Sequence, residues 1–260
     1  MIATIKLSNL VTGRYSPKNS RRIIWEKLLE WLTGRKISLS WTPTVRTAYN
    51  KYEKLPKDIE RITFEKSIEW FYKNALIAID RNIGVIEGYR SNIDYEGRQP
   101  LRAVLHPDCI AEAAMVFAYH WKLTKNPRSK YLAYSLLVYA WSFQQIDIKS
   151  PADGLVIWEK STPVFYGDDN ARIILPTLAV SSILNEDRRD EKVIRCLLAN
   201  YRTTGPSGFR KNRIELDELY KNGWEYYFKL ILYIMLHTIK HISGLFYMGV
   251  CTYRLRRFSK

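Results

Sequence analysis

The chain has 260 residues, of which 47% are hydrophobic and 13% aromatic, so it can bury a core and is not an intrinsically disordered protein. Its formal net charge is +15, but residues 1–36 and residues 228–260 carry +6 each and the segment between them only +3. A nucleic-acid-binding protein usually gathers its basic residues in one patch, so this near-neutral middle argues against a nucleic-acid partner.

The cysteines and the sequence motifs exclude several further classes of protein. Three widely spaced cysteines imply neither a disulfide framework nor a zinc site. The chain has no nucleotide-binding glycine motif. We therefore expect no cofactor and no metal. The most apolar segment, Leu230–Tyr253, is divided by Lys240 and two histidines into runs shorter than a bilayer span. With no secretory leader in the first residues, we expect a cytoplasmic protein without an integral membrane span.

The spacing of apolar residues predicts a succession of helices of about 15 residues. The predicted helices are Asn19–Leu32, Ile59–Asn82, Pro107–Leu123, Ser129–Gln145, Asp168–Leu184, Asp190–Tyr201 and a short one at Glu215–Tyr220. Lys36–Ser40 is predicted to be a short strand and Thr42–Lys57 a linker. Residues 84–105 form a loop or a small β-hairpin, because two glycines bracket an aromatic segment that ends in a turn signal. The sequence thus predicts a mainly α fold of stacked helical hairpins.

Two adjacent carboxylates, Asp168 and Asp169, stand at the start of a predicted helix. We expect one of them to be the N-cap, where the helix dipole favours the ionised form. Trp158 and Tyr166 come shortly before them and Arg172 one turn later. Aromatic rings beside carboxylates suit a sugar-binding site, whereas plain helix capping is the alternative interpretation.

Glycoside hydrolysis needs a second carboxyl group, about 5–5.5 Å away in retaining enzymes or about 6.5–9.5 Å away in inverting ones. Glu87 follows the long predicted helix and precedes a glycine that permits close approach of a ligand. Asp108 and Glu112 share a helix face through their i, i+4 spacing, with His106 beside them. A surface hairpin and a surface helix cap are the respective alternatives.

Four segments in order resemble bacterial six-hairpin glycosidase-like proteins: Trp70-Phe71, Gly84–Tyr89, Asp108–Ala114 and Tyr166–Arg172. The resemblance implies an (α/α)6 toroid whose active site lies where the inner helices begin. It implies Asp168 or Asp169 as one catalytic acid or base and Glu87 or Asp108 as its partner. The residues expected to bind substrate are Tyr89, Glu112, Trp158, Tyr166 and Arg172. The family carries an arginine where this chain has His106.

The resemblance also divides the chain into parts. Residues 1–40 resemble the last strand and helix of a glutamine-amidotransferase-like domain, residues 41–57 form the linker, and residues 58–227 form a partial toroid. The resemblance ends near Tyr227, so we expect a C-terminally truncated toroid followed by an atypical basic and hydrophobic tail, residues 228–260. A reading frame shifted from about Phe228 explains the sudden loss of acidic residues there, and sequencing of the gene tests this hypothesis.

The function expected from these features is that of a carbohydrate-active, glycoside hydrolase-like protein with paired carboxylates. An incomplete, inactive fragment of such an enzyme fits the same features, and so does an epimerase or a polysaccharide lyase on the same toroid. A non-catalytic helical module that binds carbohydrate or another protein is the alternative from a different class. A half-toroid exposes inner helix faces, so we also expect homo-oligomers formed through those faces.

Overall fold

A computed structural model of the protein describes residues 18–40, 48–50, 52–79, 82–90 and 98–230. The described part is mainly α, with 57% helix, 12% strand, eight helices and small antiparallel two-stranded sheets. The predicted mainly α fold class with a small β-hairpin is therefore confirmed. The described residues form two compact units. One contains those up to Ile62 together with those of Tyr89–Arg102, and the other contains Thr63–Gly88 and those from Ala103 onwards.

The first unit contains helix α1 (Lys18–Thr33). Glu26 in this helix pairs with Arg22 at 2.6 Å and accepts a hydrogen bond of 2.9 Å from the backbone N–H of Leu39. The predicted strand Lys36–Ser40 is wrong: this segment has no strand partner among the described residues, and the Leu39 N–H binds the Glu26 side chain instead. The strand expected within residues 1–17 lies outside the described residues, so the amidotransferase-like origin stays a prediction.

Helix α2 (Ile59–Trp70) ends in a π-helical turn, Phe71–Ala75. Strands β1 (Leu76–Ile79) and β2 (Asn82–Val85) then pair antiparallel, with Leu76 opposite Val85. The prediction of one helix from residue 59 to residue 82 is therefore wrong in its second half. The spacing of the apolar residues in this half is compatible with a helix or a strand. The β-branched residues of the two strands favour the strand conformation.

Strands β3 (Gly88–Tyr89) and β4 (Leu101–Arg102) form a second two-stranded sheet. They lie within the segment 84–105 where a small hairpin is predicted. The turn signal at residues 94–97 lies outside the described residues.

A helical hairpin forms the centre of the second unit. Helix α3 (Pro107–Thr124) begins with a proline, whose missing N–H does no harm in the first turn. Helix α4 (Pro127–Ala140) also begins with a proline and is capped by Asn126, whose side chain accepts a hydrogen bond from the backbone N–H of Arg128. Helix α3 packs against α4 and also against the later helix α5. Trp141–Phe143 continue the chain as a 3-10 turn.

The C-terminal part of the second unit alternates short strands and helices. The elements in order are β5 (Val164–Tyr166), α5 (Gly167–Leu184), α6 (Asp190–Arg202), β6 (Arg213–Glu215), α7 (Leu216–Asn222) and α8 (Trp224–Lys229). Strand β5 pairs antiparallel with β6 and leads directly into α5. Residues 231–260, which include nearly all of the predicted tail and of its apolar segment, lie outside the described residues.

The hydrophobic core lies in the second unit, between α3, α4 and α5. One face of α6 remains open: Ile194, Leu198 and Tyr201 are each more than half exposed. The expectation of homo-oligomers through inner helix faces of a half-toroid stays a prediction. No helix within the described ranges has both the length and the apolar character that a membrane crossing requires.

Candidate functional site

The first turn of α3 carries one half of the candidate site. His106 precedes the helix in an extended conformation, and Asp108 follows Pro107 at the helix start. The side chain of Asp108 is buried, with only 2% of the residue exposed. Glu112 lies one turn further along, and its side chain is 41% exposed. The start of α3 therefore holds one deeply buried carboxyl group and one accessible one.

The first turn of α5 carries the other half. The helix begins at Gly167, preceded by Tyr166, and no side chain caps it. The prediction that Asp168 or Asp169 is the N-cap is therefore wrong. The pairing of β5 with β6, extended by a hydrogen bond from the Gly167 N–H to the Asn212 carbonyl, holds the chain as a strand up to the helix. Both carboxyl groups thus lie inside the first turn.

Asn170 anchors this helix start to the preceding loop. Its side-chain oxygen accepts a hydrogen bond from the Val156 N–H, and its side-chain NH2 donates to the Val156 and Tyr166 carbonyls, all at 2.9 Å. Asn170 is fully buried. The asparagine of the Tyr166–Arg172 segment is therefore structural, and it holds the strand-to-helix junction in place.

Arg172 joins the two helix starts. Its Nη1 lies 2.6 Å from Asp108 Oδ2, while Nε and Nη2 donate to the two Glu112 oxygens at 2.8 and 2.9 Å. Such two-point pairing suits the planar guanidinium group. The hydrogen bonds to Glu112 raise the pKa of Arg172 above its usual range. The predicted sharing of one helix face by Asp108 and Glu112 is confirmed, since one guanidinium group binds both.

Asp169 differs from the other carboxyl groups of this cluster. It is 6% exposed, and burial raises its pKa to about 8, with further contributions from the charges of Asp108 and Asp168 and from a hydrogen bond to Asp108. The Asp169 carboxyl therefore keeps its proton at neutral pH and can donate a hydrogen bond. Asp108 Oδ1 is buried and has no other polar group as hydrogen-bond partner within the described part of the chain, so it is the acceptor that this O–H can reach.

Glu87 approaches the same cluster through His106. Glu87 Oε2 lies 3.7 Å from His106 Nδ1. His106 and Asp108 in turn have a ring nitrogen and a carboxylate oxygen within 4.8 Å of each other. Glu87, His106, Asp108 and Asp169 therefore lie close to one another. The four predicted catalytic carboxylates meet in one region, with Asp168 adjacent to Asp169 in the same helical turn.

The predicted aromatic residues have a packing role in this arrangement. The ring of Trp158 lies on that of His106, with centroids 4.6 Å apart at 31°, and the edge of Tyr166 meets Trp158 at 5.6 Å. The Tyr166 hydroxyl accepts a hydrogen bond from Arg213. Tyr89, which is 45% exposed, belongs to the other compact unit.

A cavity of about 600 Å³ adjoins the cluster. Three predicted site residues line it: Glu87, Glu112 and Arg172. Its other lining residues are Trp70, Phe71, Val85, Ile86, Cys109, Ala113, Met115, Val116, Leu175 and Pro176. The predicted residues Asp108, Asp168, Asp169, Trp158 and Tyr166 are not among them.

The aromatic pair at the end of α2 is the part of this lining that sequence reasoning did not assign. Trp70 and Phe71 stand where the helix breaks, and their rings meet edge to face at 5.5 Å. Trp70-Phe71 is one of the four segments that resemble the glycosidase-like family, but no binding role is predicted for it from the sequence.

His106, Asp108 and Cys109 each offer one ligand atom, and these atoms lie within 4.8 Å of one another. Two features disfavour a metal ion at this position. Arg172 already forms an ion pair with Asp108, and its positive charge would repel a metal cation. Burial, together with the charge of Asp108, raises the pKa of the Cys109 thiol to about 12, whereas metals bind the thiolate. We therefore assign no metal to this cluster.

Arg210 lies beside the start of α5, a position that sequence reasoning did not identify. It is 8% exposed, and its Nε donates to Thr203 Oγ1 at 2.9 Å. Nη1 and Nη2 have no hydrogen-bond partner within the described ranges. Burial lowers the pKa of Arg210 to about 10, while the charge of Asp168 acts in the opposite direction. A Cβ at Gly167 would lie 3.2 Å from Nη1, so the glycine permits this close approach.

Comparison of the chain with models of protein families, with curated proteins and with solved structures found no match. The six-hairpin glycosidase-like family therefore stays a prediction. Support for a candidate function therefore comes from the geometry of the site.

Proposed function

We propose that the protein is a carbohydrate-active, glycoside hydrolase-like protein in which Asp169 is the general acid. The observation that carries this proposal is the buried pair of Asp169 and Asp108 where α3 and α5 begin, in which burial and the neighbouring carboxyl groups raise the pKa of Asp169 to about 8. A general acid must hold its proton near the working pH, and paired carboxyl groups with opposite protonation states are typical of glycoside hydrolysis.

Asp108 is a positioning residue in this proposal. It accepts the hydrogen bond from Asp169 and pairs with Arg172, so it lies closer to Asp169 than the separation of about 5 Å or more that glycosidases maintain. Glu87 is the better second carboxylate, because it lines the cavity that adjoins the cluster. Arg172 and Glu112 then bind the hydroxyl groups of the sugar.

The chemical step follows from these roles. Asp169 gives its proton to the glycosidic oxygen while the bond from that oxygen to the sugar breaks. Glu87 either removes a proton from the attacking water or attacks the sugar carbon itself, after which water releases the sugar. In both cases one water is consumed and a second proton transfer restores the carboxyl group of Asp169.

A panel of methyl and nitrophenyl glycosides tests this proposal. Asp169→Asn keeps the shape of the side chain but removes the acid, so we expect hydrolysis of the methyl glycosides, whose leaving oxygen needs a proton, to fall by about 10²- to 10⁴-fold. The matched control is Asp217→Asn, which changes an exposed aspartate of α7 and should leave the rate unchanged. The wild-type rate should also decline above a pH of about 8, where Asp169 loses its proton.

Equal rates for the two variants would contradict the role of Asp169. The masses of the products separate hydrolysis from its relatives on the same scaffold, since hydrolysis adds water, a lyase does not and an epimerase leaves the mass unchanged.

One observation favours a second candidate function, a non-catalytic carbohydrate-binding module. Asp169 is only 6% exposed and does not line the cavity, as expected if the buried carboxyl pair merely holds α3 and α5 together. This alternative predicts glycan binding without hydrolysis of any member of the panel. It further predicts that Asp169→Asn leaves the affinity for the glycan unchanged.

A further inference from the structure

The cavity beside the carboxylate cluster has an unusual composition for a site that holds only a sugar. Ten of its thirteen lining residues are apolar, counting the protonated Cys109, and they include the rings of Trp70 and Phe71. A ring of hydroxyl groups placed against these walls would lose its hydrogen bonds to water without replacement. The walls therefore suit the apolar part of a ligand.

We propose that this cavity binds the apolar aglycone of the substrate, so that the substrate is an alkyl or aryl glycoside. This inference rests on the proposed function, because the sugar must reach the carboxylates while the aglycone occupies the cavity. A volume of about 600 Å³ lies within the range of about 300–1,000 Å³ that holds small ligands. An aglycone of several carbon atoms therefore has room.

The three polar lining residues determine how the ligand is oriented in the cavity. Glu87, Glu112 and Arg172 are the polar members of the lining, and Arg172 reaches Asp108, the residue that is hydrogen-bonded to Asp169. A glycoside placed with its aglycone among the apolar residues turns its glycosidic oxygen towards this polar edge.

The charge at the polar edge excludes one class of ligand. Arg172 is bound at both Nε and Nη2 by Glu112 and at Nη1 by Asp108. Two carboxylates thus neutralise its single positive charge, and the guanidinium group is not available as a clamp for an anion. The cavity should therefore select uncharged glycosides over sugar acids or sugar phosphates.

Calorimetric titration with alkyl glucosides of increasing chain length, from methyl to octyl and below their micelle concentrations, tests the inference. The affinity should rise by about three- to fourfold for each added methylene group that enters the cavity. The series measures binding alone, so it remains informative if no glycoside of the panel is hydrolysed. Activity without any dependence on chain length would overturn this inference and leave the proposed function intact.

A matched pair of variants locates the binding. Val116→Phe fills part of the cavity, whereas Val138→Phe adds the same ring at a position on α4 that is 42% exposed and outside the lining. We expect Val116→Phe to weaken octyl glucoside binding by about tenfold or more and Val138→Phe to leave it unchanged. Thermal unfolding verifies that each variant is folded, and Leu175→Phe, at a partly exposed lining position, replaces Val116→Phe if it is not. Equal affinity for methyl and octyl glucoside, or equal effects of the lining and control variants, would overturn the inference.

Discussion

Helices α3 and α5 begin alike and yet place their first-turn carboxyl groups in different electrostatic surroundings. Each has a buried aspartate in its first turn, Asp108 in α3 and Asp169 in α5. Asp108 pairs with Arg172 at 2.6 Å, whereas burial raises the pKa of Asp169 to about 8. The positive end of a helix dipole favours the ionised form in both positions. The difference between them must therefore arise from neighbouring residues.

Arg172 accounts for this difference, because it belongs to α5 but pairs with acidic residues of α3. It stands one turn after Asp169, at a spacing at which two charges on one helix often pair. Its guanidinium group instead binds Asp108 and Glu112, and it lowers the pKa of Asp169 less than burial and the nearby carboxylates raise it. Protonation at this site therefore depends on contacts between helices rather than on local sequence.

Removal of the Arg172 guanidinium group, which Asp108 and Glu112 share, should have the largest effect on the free energy of unfolding. Arg172→Met keeps most of the side-chain volume but leaves the carboxylate of Asp108 buried without a countercharge. The loss of one partner of a buried ion pair costs about 3–5 kcal/mol. We expect a free energy of unfolding lower by about that amount in urea titrations at neutral pH.

Arg188→Met is the matched control for this loss. The Arg188 side chain is 68% exposed and lies 4.0 Å from Glu186, and exposed pairs contribute about 0–1 kcal/mol. An equal decrease in the two variants would show that Arg172 does not hold a buried charge.

Removal of the ionisable group of Asp169 should stabilise the protein, by an amount that depends on pH. An aspartate titrates near pH 4 in the unfolded chain and at about 8 in the folded protein. Between these values the native state binds a proton that the unfolded state lacks, so stability falls as the pH rises through this range and remains low above it.

Asp169→Asn abolishes this dependence, because the amide is neutral throughout and still donates a hydrogen bond to Asp108. The difference in unfolding free energy between the variant and the wild type should be small near pH 4. It should grow to a few kcal/mol by pH 8, since one unit of pKa shift corresponds to about 1.4 kcal/mol. A difference that stays constant from pH 4 to pH 8 would show that Asp169 is ionised in the native state.

The sequence predicted the helices of the site well and the rest of the chain less well. The predicted helices Pro107–Leu123, Asp168–Leu184 and Asp190–Tyr201 each differ from the observed helix by a single residue, at one end only. Each has a clear start signal and a sustained apolar period. The prediction for the region after Trp70 is wrong because a short apolar segment with β-branched residues matches both the helical and the strand periodicity. Only pairing with a second strand distinguishes the two.

The proximity of Asp108, Asp169 and Arg172 follows from their positions in the first two turns of α3 and α5, which pack together, whereas Glu87 lies between β2 and β3. The pairing of Arg172 with Glu112 joins residues that are 60 positions apart in the chain. It depends on how α3 and α5 pack, so it cannot be predicted from the local sequence. For the same reason the packing of Trp158 on His106 was not foreseen.

Asp108→Asn tests how far one helix start controls the other. It removes the carboxylate that contributes most, after burial, to the raised pKa of Asp169. We expect the pKa of Asp169 to fall, as measured by carbon-13 NMR of its carboxyl group. The free energy of unfolding should also decrease by about 1–3 kcal/mol because Arg172 loses a charged partner. An unchanged pKa of Asp169 would show that burial alone keeps it protonated.

Asp168→Asn should give the smallest effect and ranks the sources of the shift. Asp168 also raises the pKa of Asp169, but its contribution is smaller than that of Asp108, and its own side chain is only partly buried. The pKa of Asp169 should therefore fall less than in Asp108→Asn, with little change in stability, since solvent screens the charge of Asp168 more strongly. A larger fall for Asp168→Asn would reverse the ranking and show that Asp169 is controlled from within its own helix.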